Sequence, residues 1–391
     1  MPTILLSAVE PSADQMGARL MEELRLRLGR GTRFVGAGGL AMASRGFESA
    51  FDTGALSVMG VGDALRAVPA AISGARTLAR VARETKPDAA VLIDAWGFSK
   101  IAAARLRKRS PQTPLVKLAA PQVWASRPGR AGTAADLFDL ILTLLPFEPA
   151  HFEAAGGRAV FVGNPNFEAV ATTPRSGPAF RSVHGLGGAP LLLVLPGSRG
   201  GEVSRLMGIF GDAAAAARSS VPGMRSVIVA APSVEDEVRR LAREWEGNPL
   251  VVPGAERFDA FDAGDVALAA SGTVTTELAM CGTPMTVGYR TDKLTAAWAR
   301  RVITTPYVSI LNVAASEMII PERLQDDCTP EQLCADVVRL FTDDEARRRQ
   351  LSAFRRLLPD LIGTGNAAAR AAEEIAALVQ RQDARDLDAR P

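Results

Sequence analysis

Ser271-Gly272-Thr273, followed one helical turn later by the carboxylate of Glu277, is the residue pattern in this chain most suited to chemistry. The preceding Asp265-Val-Ala-Leu-Ala-Ala reads as a short buried strand, and Thr273 to Met280 reads as the helix that follows it. A Ser-Gly-Thr corner at a helix N-terminus presents free backbone N–H groups at the positive end of the helix dipole, which suits a diphosphate. Glu277, a turn inside, is placed to accept both hydroxyls of a ribose diol. Together they suggest a nucleotide-diphosphate site. A capped helix whose early glutamate complements the dipole is the alternative reading.

A second turn, Leu195-Pro196-Gly197-Ser198-Arg199-Gly200-Gly201-Glu202, ends another strand and leads into a helix. Its glycines let backbone approach a ligand closely, and the guanidinium of Arg199 matches phosphate oxygens in bidentate fashion. Arg199 is therefore the candidate for stabilising a departing diphosphate, with Ser198 beside it. In the first half, Val91-Leu92-Ile93-Asp94 places a carboxylate at the end of an apolar strand. There it is able to take a proton from an attacking hydroxyl; read by itself, it is a helix cap for the segment that begins near Ser99. Glu10, Ser12 and Asp14 form a polar cluster after the first strand, without the glycines of a dinucleotide fingerprint. Metal catalysis finds little support, because the only two histidines, His151 and His184, stand in no ligand pattern. No Gly-x-Ser-x-Gly supports serine hydrolase chemistry. No cofactor is expected.

The elements that must position these residues alternate strand-like apolar runs with amphipathic helical segments, the pattern of parallel sheets covered by helices. Candidate strands are Thr3–Ser7, Arg33–Gly36, Ala89–Asp94, Leu115–Ala119, Leu140–Leu144 and Ala159–Gly163, then Pro190–Leu195, Ser226–Ala231, Leu250–Val252, Asp265–Ala269 and Met285–Gly288. The predicted organisation is α/β. An N-terminal Rossmann-like domain spans 1–170, a linker 171–188, a C-terminal Rossmann-like domain 189–345, helices 346–380 and a frayed polar tail 381–391. Ligands are expected at strand C-terminal ends and in the cleft between the domains.

A formal net charge of +2 on 391 residues demands no nucleic-acid partner. Cys281, Cys328 and Cys334, odd in number and without metal-ligand spacing, point to a reducing compartment. The polar start argues against a signal peptide, and no apolar run approaches the roughly 18 residues of a membrane span. A cytoplasmic protein, or one peripheral to a membrane, is expected. One segment hints at such a surface: Val58, Met59, Val61, Leu65, Val68 and Ile72 precede Arg76, Arg80 and Arg83, which share one helical face and suit anionic headgroups. Arg290, Lys293, Trp298, Arg300 and Arg301 form a second cluster, mixing basic residues with an interfacial aromatic. A homodimer is open, although no heptad pattern shows one.

Several motifs in order along the chain resemble the lipid-A-disaccharide synthase family, inverting glycosyltransferases of the two-domain GT-B type. They are Glu10-Pro-Ser-Ala-Asp14, Leu56-Ser-Val-Met-Gly60, Pro121-Gln-Val-Trp124, Leu145-Pro-Phe-Glu-Pro149, Phe161-Val-Gly163, Leu195-Pro-Gly-Ser-Arg199, Ala270-Ser-Gly-Thr273 with Glu277, Gly288-Tyr-Arg290, and Tyr307-Val-Ser-Ile-Leu-Asn312. The resemblance implies transfer of 2,3-diacylglucosamine from its UDP form to 2,3-diacylglucosamine 1-phosphate, with release of UDP, by a protein peripheral to the inner membrane. It makes Asp94 the essential acid and general base, and Arg199 the essential arginine. Ser271, Gly272, Thr273, Glu277 and Asn312 become donor-side residues that hold UDP, and Glu10 and Asp14 residues that face the cleft.

The departures lie mostly in the N-terminal, acceptor-side half. Val9 and Ala13 stand at the two glycine positions of Gly-Glu-x-Ser-Gly-Asp, so a requirement for positive φ there would strain the loop. Asp-x-Pro-Asp-Phe becomes Asp94-Ala-Trp96-Gly97-Phe98, without its second acid. Gln122 and Ser126 replace residues of the Ser-Pro-Ser-Val-Trp-Ala-Trp segment, Asn164 replaces a histidine, and Ala315-Ser316-Glu317-Met318 lacks the usual arginine. These leave open a UDP-sugar enzyme with another acceptor, an epimerase of the same architecture, or a non-catalytic paralogue that binds UDP-sugar or lipid.

Overall fold

The computed structural model describes residues 1–56, 61–292, 295 and 302–388. It divides into two units, Met1–Pro165 with Leu361–Pro391, and Asn166–Asp360. Each is built on a six-stranded parallel sheet.

In the first unit, β1 (Thr3–Ala8), β2 (Arg33–Ala37), β3 (Ala89–Ile93), β4 (Leu115–Leu118), β5 (Leu140–Thr143) and β6 (Ala159–Phe161) lie in the order β2-β1-β3-β4-β5-β6. The strands are apolar runs because helices cover both faces. On one face Ile4, Leu6 and Val91 pack with Leu20, Met21 and Leu24 of the helix Pro11–Leu28, and with Ala371, Ile375 and Val379 of the helix Ala367–Asp388. On the other, Leu5, Leu92 and Ile141 pack with Leu78 and Ala82 of the helix Val61–Thr85 and with Ala102 and Leu106 of the helix Trp96–Arg109. The closing helix is tied to this unit by an ion pair of 2.7 Å from Arg158 to Glu374. It runs on to Asp388, through most of the segment expected to fray.

In the second unit, β7 (Leu191–Leu195), β8 (Arg225–Ala230), β9 (Leu250–Pro253), β10 (Val266–Ala270), β11 (Met285–Tyr289) and β12 (Glu322–Leu324) lie in the order β12-β11-β10-β7-β8-β9. The stretch expected to be a linker is structured here. It holds the helix Gly177–Val183, capped by Ser176, whose hydroxyl accepts from the Ala179 N–H. Arg181 donates to Ala263 O at 2.6 Å and to Asp265 at 2.9 Å, and Gly177 N–H donates to Asp262 at 2.7 Å. A Cβ on Gly177 would sit 2.5 Å from Asp262 O, so only glycine allows this approach. A polar segment with few apolar residues docks here through hydrogen bonds.

The chain order reverses at β1 in the first sheet, flanked by β2 and β3, and at β7 in the second, flanked by β8 and β10. Ligands of open α/β sheets bind at such switch points, outside the strand C-terminal ends. Ala8 lies beside Ile93 and Ala269 beside Leu195, which brings the loops carrying Glu10 and Asp94 together, and likewise the loops carrying Arg199 and Ser271. No helix among the described residues is long and apolar enough to cross a membrane.

Candidate active site

At the switch point of the first unit, β3 ends in Asp94 and Ala95, both with positive φ, 49° and 41°. This turn needs holding, since left-handed backbone is costly for residues with a Cβ. It is held by Asp94 N–H, which donates to Leu118 O, and by Ser99 Oγ and Lys117 Nζ, which both donate to Asp94 O at 2.7 Å. The Asp94 carboxylate itself has no hydrogen bond among the described residues, and Ala95, not Asp94, is the N-cap of the helix Trp96–Arg109. The helix-cap reading of Asp94 therefore does not apply.

Glu10, half-buried beside Asp94 and Lys117, has its carboxyl raised above the usual range by burial and then by the Asp94 charge, with Lys117 opposing. Ser12 is exposed at the start of the helix Pro11–Leu28. Asp14 is buried and accepts from the N–H groups of Gly39, Ala41 and Met42 at 2.8, 2.7 and 3.1 Å. Its oxygens thus fix the loop after β2. Val9 and Ala13 are buried, and neither has positive φ, so the missing glycines cause no strain.

Beside this site, Glu148 is 3% exposed and accepts from Leu144 and Leu145 N–H, at 3.1 and 3.0 Å, and from the Trp124 indole N–H at 3.1 Å. Burial pushes its carboxyl up to about 7, against these donors. Glu148 thus fastens the tryptophan segment to the end of β5. Glu148→Ala removes the shared acceptor of these donors and is expected to lose about 3 kcal/mol of stability by urea unfolding, at a cost of roughly 1–3 kcal/mol per buried group that loses its acceptor.

In the second unit, Gly197 bends the chain after β7 at φ 109°, a conformation open to glycine. Arg199 follows with its side chain 76% exposed and its guanidinium 3.4 Å from Glu202. Glu202 also accepts from the Ser198 N–H at 3.2 Å, and Ser198 O accepts from Ser233 Oγ at 2.9 Å, so the turn is braced while the guanidinium stays open to solvent. Tyr289, at the end of β11, lies near Glu202, Arg199 and Arg205; burial, then Glu202, pushes its phenol up.

The Ser271-Gly272-Thr273 corner follows β10. Gly272 and Thr273 are exposed, and a Cβ at Gly272 would meet nothing within 4 Å. Glu277 lies inside the helix Val274–Met280, paired with Arg257 at 3.6 Å. Burial raises its carboxyl, and Arg257 opposes this. Arg257 also covers the Phe258 ring at 4.1 Å. Asn312 stands differently from expectation. It is fully buried, its amide donates to Ile320 O and Glu322, and its carbonyl accepts from Ile319 and Ile320 N–H. Those bonds occupy the side-chain amide of Asn312 and shape the loop before β12.

Sequence reasoning did not single out Lys117, Arg257 or Glu322, and met Glu148 and Tyr289 only as members of motifs, without a role. A lysine inside the apolar run Leu115-Val-Lys-Leu118 was the one signal available for the first.

Of the surface residues, Val58 and Met59, and Lys293, Trp298, Arg300 and Arg301, lie outside the described residues, as do the side chains of Val61 and Leu65. Val68 is exposed and Ile72 half-buried. Further along the same helix, Arg76, Arg80 and Arg83 line a groove of about 490 Å³ together with Arg105, Lys108 and Arg109 of the helix Trp96–Arg109, and no carboxylate among the described residues lines it.

Residues 4–376 match the family model described as lipid-A-disaccharide synthetase. The lipid-A-disaccharide synthase of Paramagnetospirillum magneticum is 40% identical over 95% of this chain and 96% of its own, and that of Bradyrhizobium diazoefficiens 39% over 93% of each. Among solved structures, a putative UDP-N-acetylglucosamine 2-epimerase of Listeria monocytogenes has TM-score 0.61 at 16% identity, over 97% of both chains. The glycosyltransferase of kitacinnamycin has TM-score 0.58 at 18% identity, over 98% of this chain and 99% of that one. At these identities the two structures speak for the fold alone, that of GT-B glycosyltransferases and epimerases.

Proposed function

The chain belongs to the lipid-A-disaccharide synthetase family and is a hexosyltransferase of lipid A biosynthesis, and on that premise we propose that it transfers 2,3-diacylglucosamine from its UDP form to 2,3-diacylglucosamine 1-phosphate. The observation that supports the chemistry most is the Asp94 carboxylate, set at a switch point by a left-handed turn and free of hydrogen bonds among the described residues. Asp94 removes the proton from the acceptor's 6-hydroxyl as the oxygen attacks the anomeric carbon. The donor's diphosphate leaves against the Arg199 guanidinium and the N–H groups of the Ser271–Thr273 corner, and Glu277 holds the ribose. Asn312 and Asp14 act by keeping their loops in shape.

UDP release from the purified protein given UDP-2,3-diacylglucosamine, with and without 2,3-diacylglucosamine 1-phosphate, tests the reading. Release that depends on the acceptor, together with a disaccharide product, is the expected result. Release without the acceptor, or an epimerised donor, would overturn it.

The reading places the protein at the cytoplasmic face of the inner membrane, held peripherally. The six cations around the Arg80 groove suit lipid phosphates, each contributing about 1 kcal/mol near an anionic surface. The triple variant Arg80→Glu, Arg83→Glu, Arg109→Glu is expected to bind anionic phospholipid vesicles at least tenfold more weakly, with UDP binding unchanged. Equal sedimentation of variant and parent with the vesicles would remove this surface from the reading.

A further inference from the structure

Among the described residues Lys117 is the largest fully buried side chain. It sits in the middle of β4, between Leu92 of β3 and Ile141 of β5. An unpaired ammonium in such a place is costly, and the groups around it show how it is accommodated. Its three protons have three acceptors: Asp94 O at 2.7 Å, Leu118 O at 2.9 Å and Leu92 O at 3.3 Å. Neutral amine has only two protons, so the set of three carbonyls is built for the charged form. The charged groups near it are Asp94 and Glu10; burial pulls the ammonium down to about 7 while both carboxylates oppose that.

Two of these acceptors flank the left-handed turn. Leu92 O precedes it in β3, and Asp94 O lies within it, next to Ala95. Leu118 O accepts from Lys117 and also from the Asp94 N–H, so one cation and one carbonyl hold both polar groups of the Asp94 backbone. Ser99 Oγ is the second donor to Asp94 O, also at 2.7 Å.

We propose that Lys117 is the positioning residue of the reaction: by gathering the carbonyls of Leu92, Asp94 and Leu118 it sets the turn that aims the Asp94 carboxylate. The inference rests on Asp94 being the base.

The test is steady-state kinetics of Lys117→Met, beside Asp94→Asn and Ser99→Ala, each with a thermal melt. Methionine fills the slot without charge or donors. For Lys117→Met, kcat is expected to fall at least thirtyfold with the donor KM within threefold of the parent. A role confined to packing would lower the melting temperature and leave kcat within threefold of the parent; that result overturns the proposal. Ser99→Ala keeps the cation and loses one donor to the same carbonyl, and is expected to lower kcat three- to tenfold. If Lys117→Met does not fold, an unchanged kcat in Ser99→Ala overturns the positioning role. Asp94→Asn separates the two readings. Retained activity there removes the base itself, whereas an inactive Asp94→Asn beside a Lys117→Met with unchanged kcat removes only Lys117.

Discussion

Replacement of Asp94 by alanine is expected to lower kcat about a thousandfold, in the middle of the range for loss of a general base, with UDP affinity within about twofold of the parent. Two features of the site separate these effects. The carboxylate has no hydrogen bond among the described residues, so its loss orphans no donor, and the turn around it is held through main-chain groups that alanine keeps. Alanine already tolerates the left-handed conformation next door, at Ala95. The variant should therefore fold with a melting temperature close to that of the parent. The diphosphate and ribose contacts assigned to Arg199 and Glu277 belong to the second unit, and titration calorimetry with UDP reads them independently of turnover. Activity within tenfold of the parent would end the assignment of Asp94 as base, and lost UDP binding would show that it acts on the donor instead.

How much of this arrangement the sequence carried depended on the kind of force that fixes each part. Long apolar strands such as Leu191–Leu195 and Ala89–Ile93 are recorded in the chain itself, because burial on both faces leaves an uninterrupted hydrophobic run. The strand Glu322–Leu324 has no such mark. It is three residues long, and its Glu322 is buried only because Val308, Ser309 and Asn312 surround the carboxylate with donors. The helix Gly177–Val183 was equally hidden, since what orders it is a set of partners, Asp262, Ala263 and Asp265, some eighty residues further along the chain.

The same division runs through the site. The turn at Arg199 was legible because glycine and proline mark it locally. Asn312 was read as holding UDP and Asp14 as facing the cleft from the motifs they belong to, yet a motif records that a residue is needed, not what it touches. Both turn inward and serve the loops that carry their neighbours. Lys117 shows the reverse case. A charge in the middle of a buried strand breaks the pattern of that strand, and its reason is visible only once the carbonyls of β3 and β4 are brought around it.

Replacement of Arg199 by alanine should cost about a hundredfold in kcat and weaken UDP at least tenfold, the scale of losing one strong donor to developing charge. Its surroundings argue that this loss is functional throughout. The side chain is 76% exposed, its ion pair among the described residues is with Glu202 at 3.4 Å, and an exposed pair of that kind contributes little to stability. Glu202 keeps the Ser198 N–H when the arginine is gone, so the turn at Gly197 retains its brace. An unchanged melt with lowered kcat and UDP affinity is thus the expected signature. Arg199→Lys is the sharper comparison, because lysine restores the charge as a point and cannot offer the planar fork that grips two phosphate oxygens. If the arginine works through bidentate contact, lysine should recover less than a tenth of the lost rate. Full recovery would mean that charge alone suffices, and unchanged kinetics in both variants would mean that the diphosphate is held by other groups.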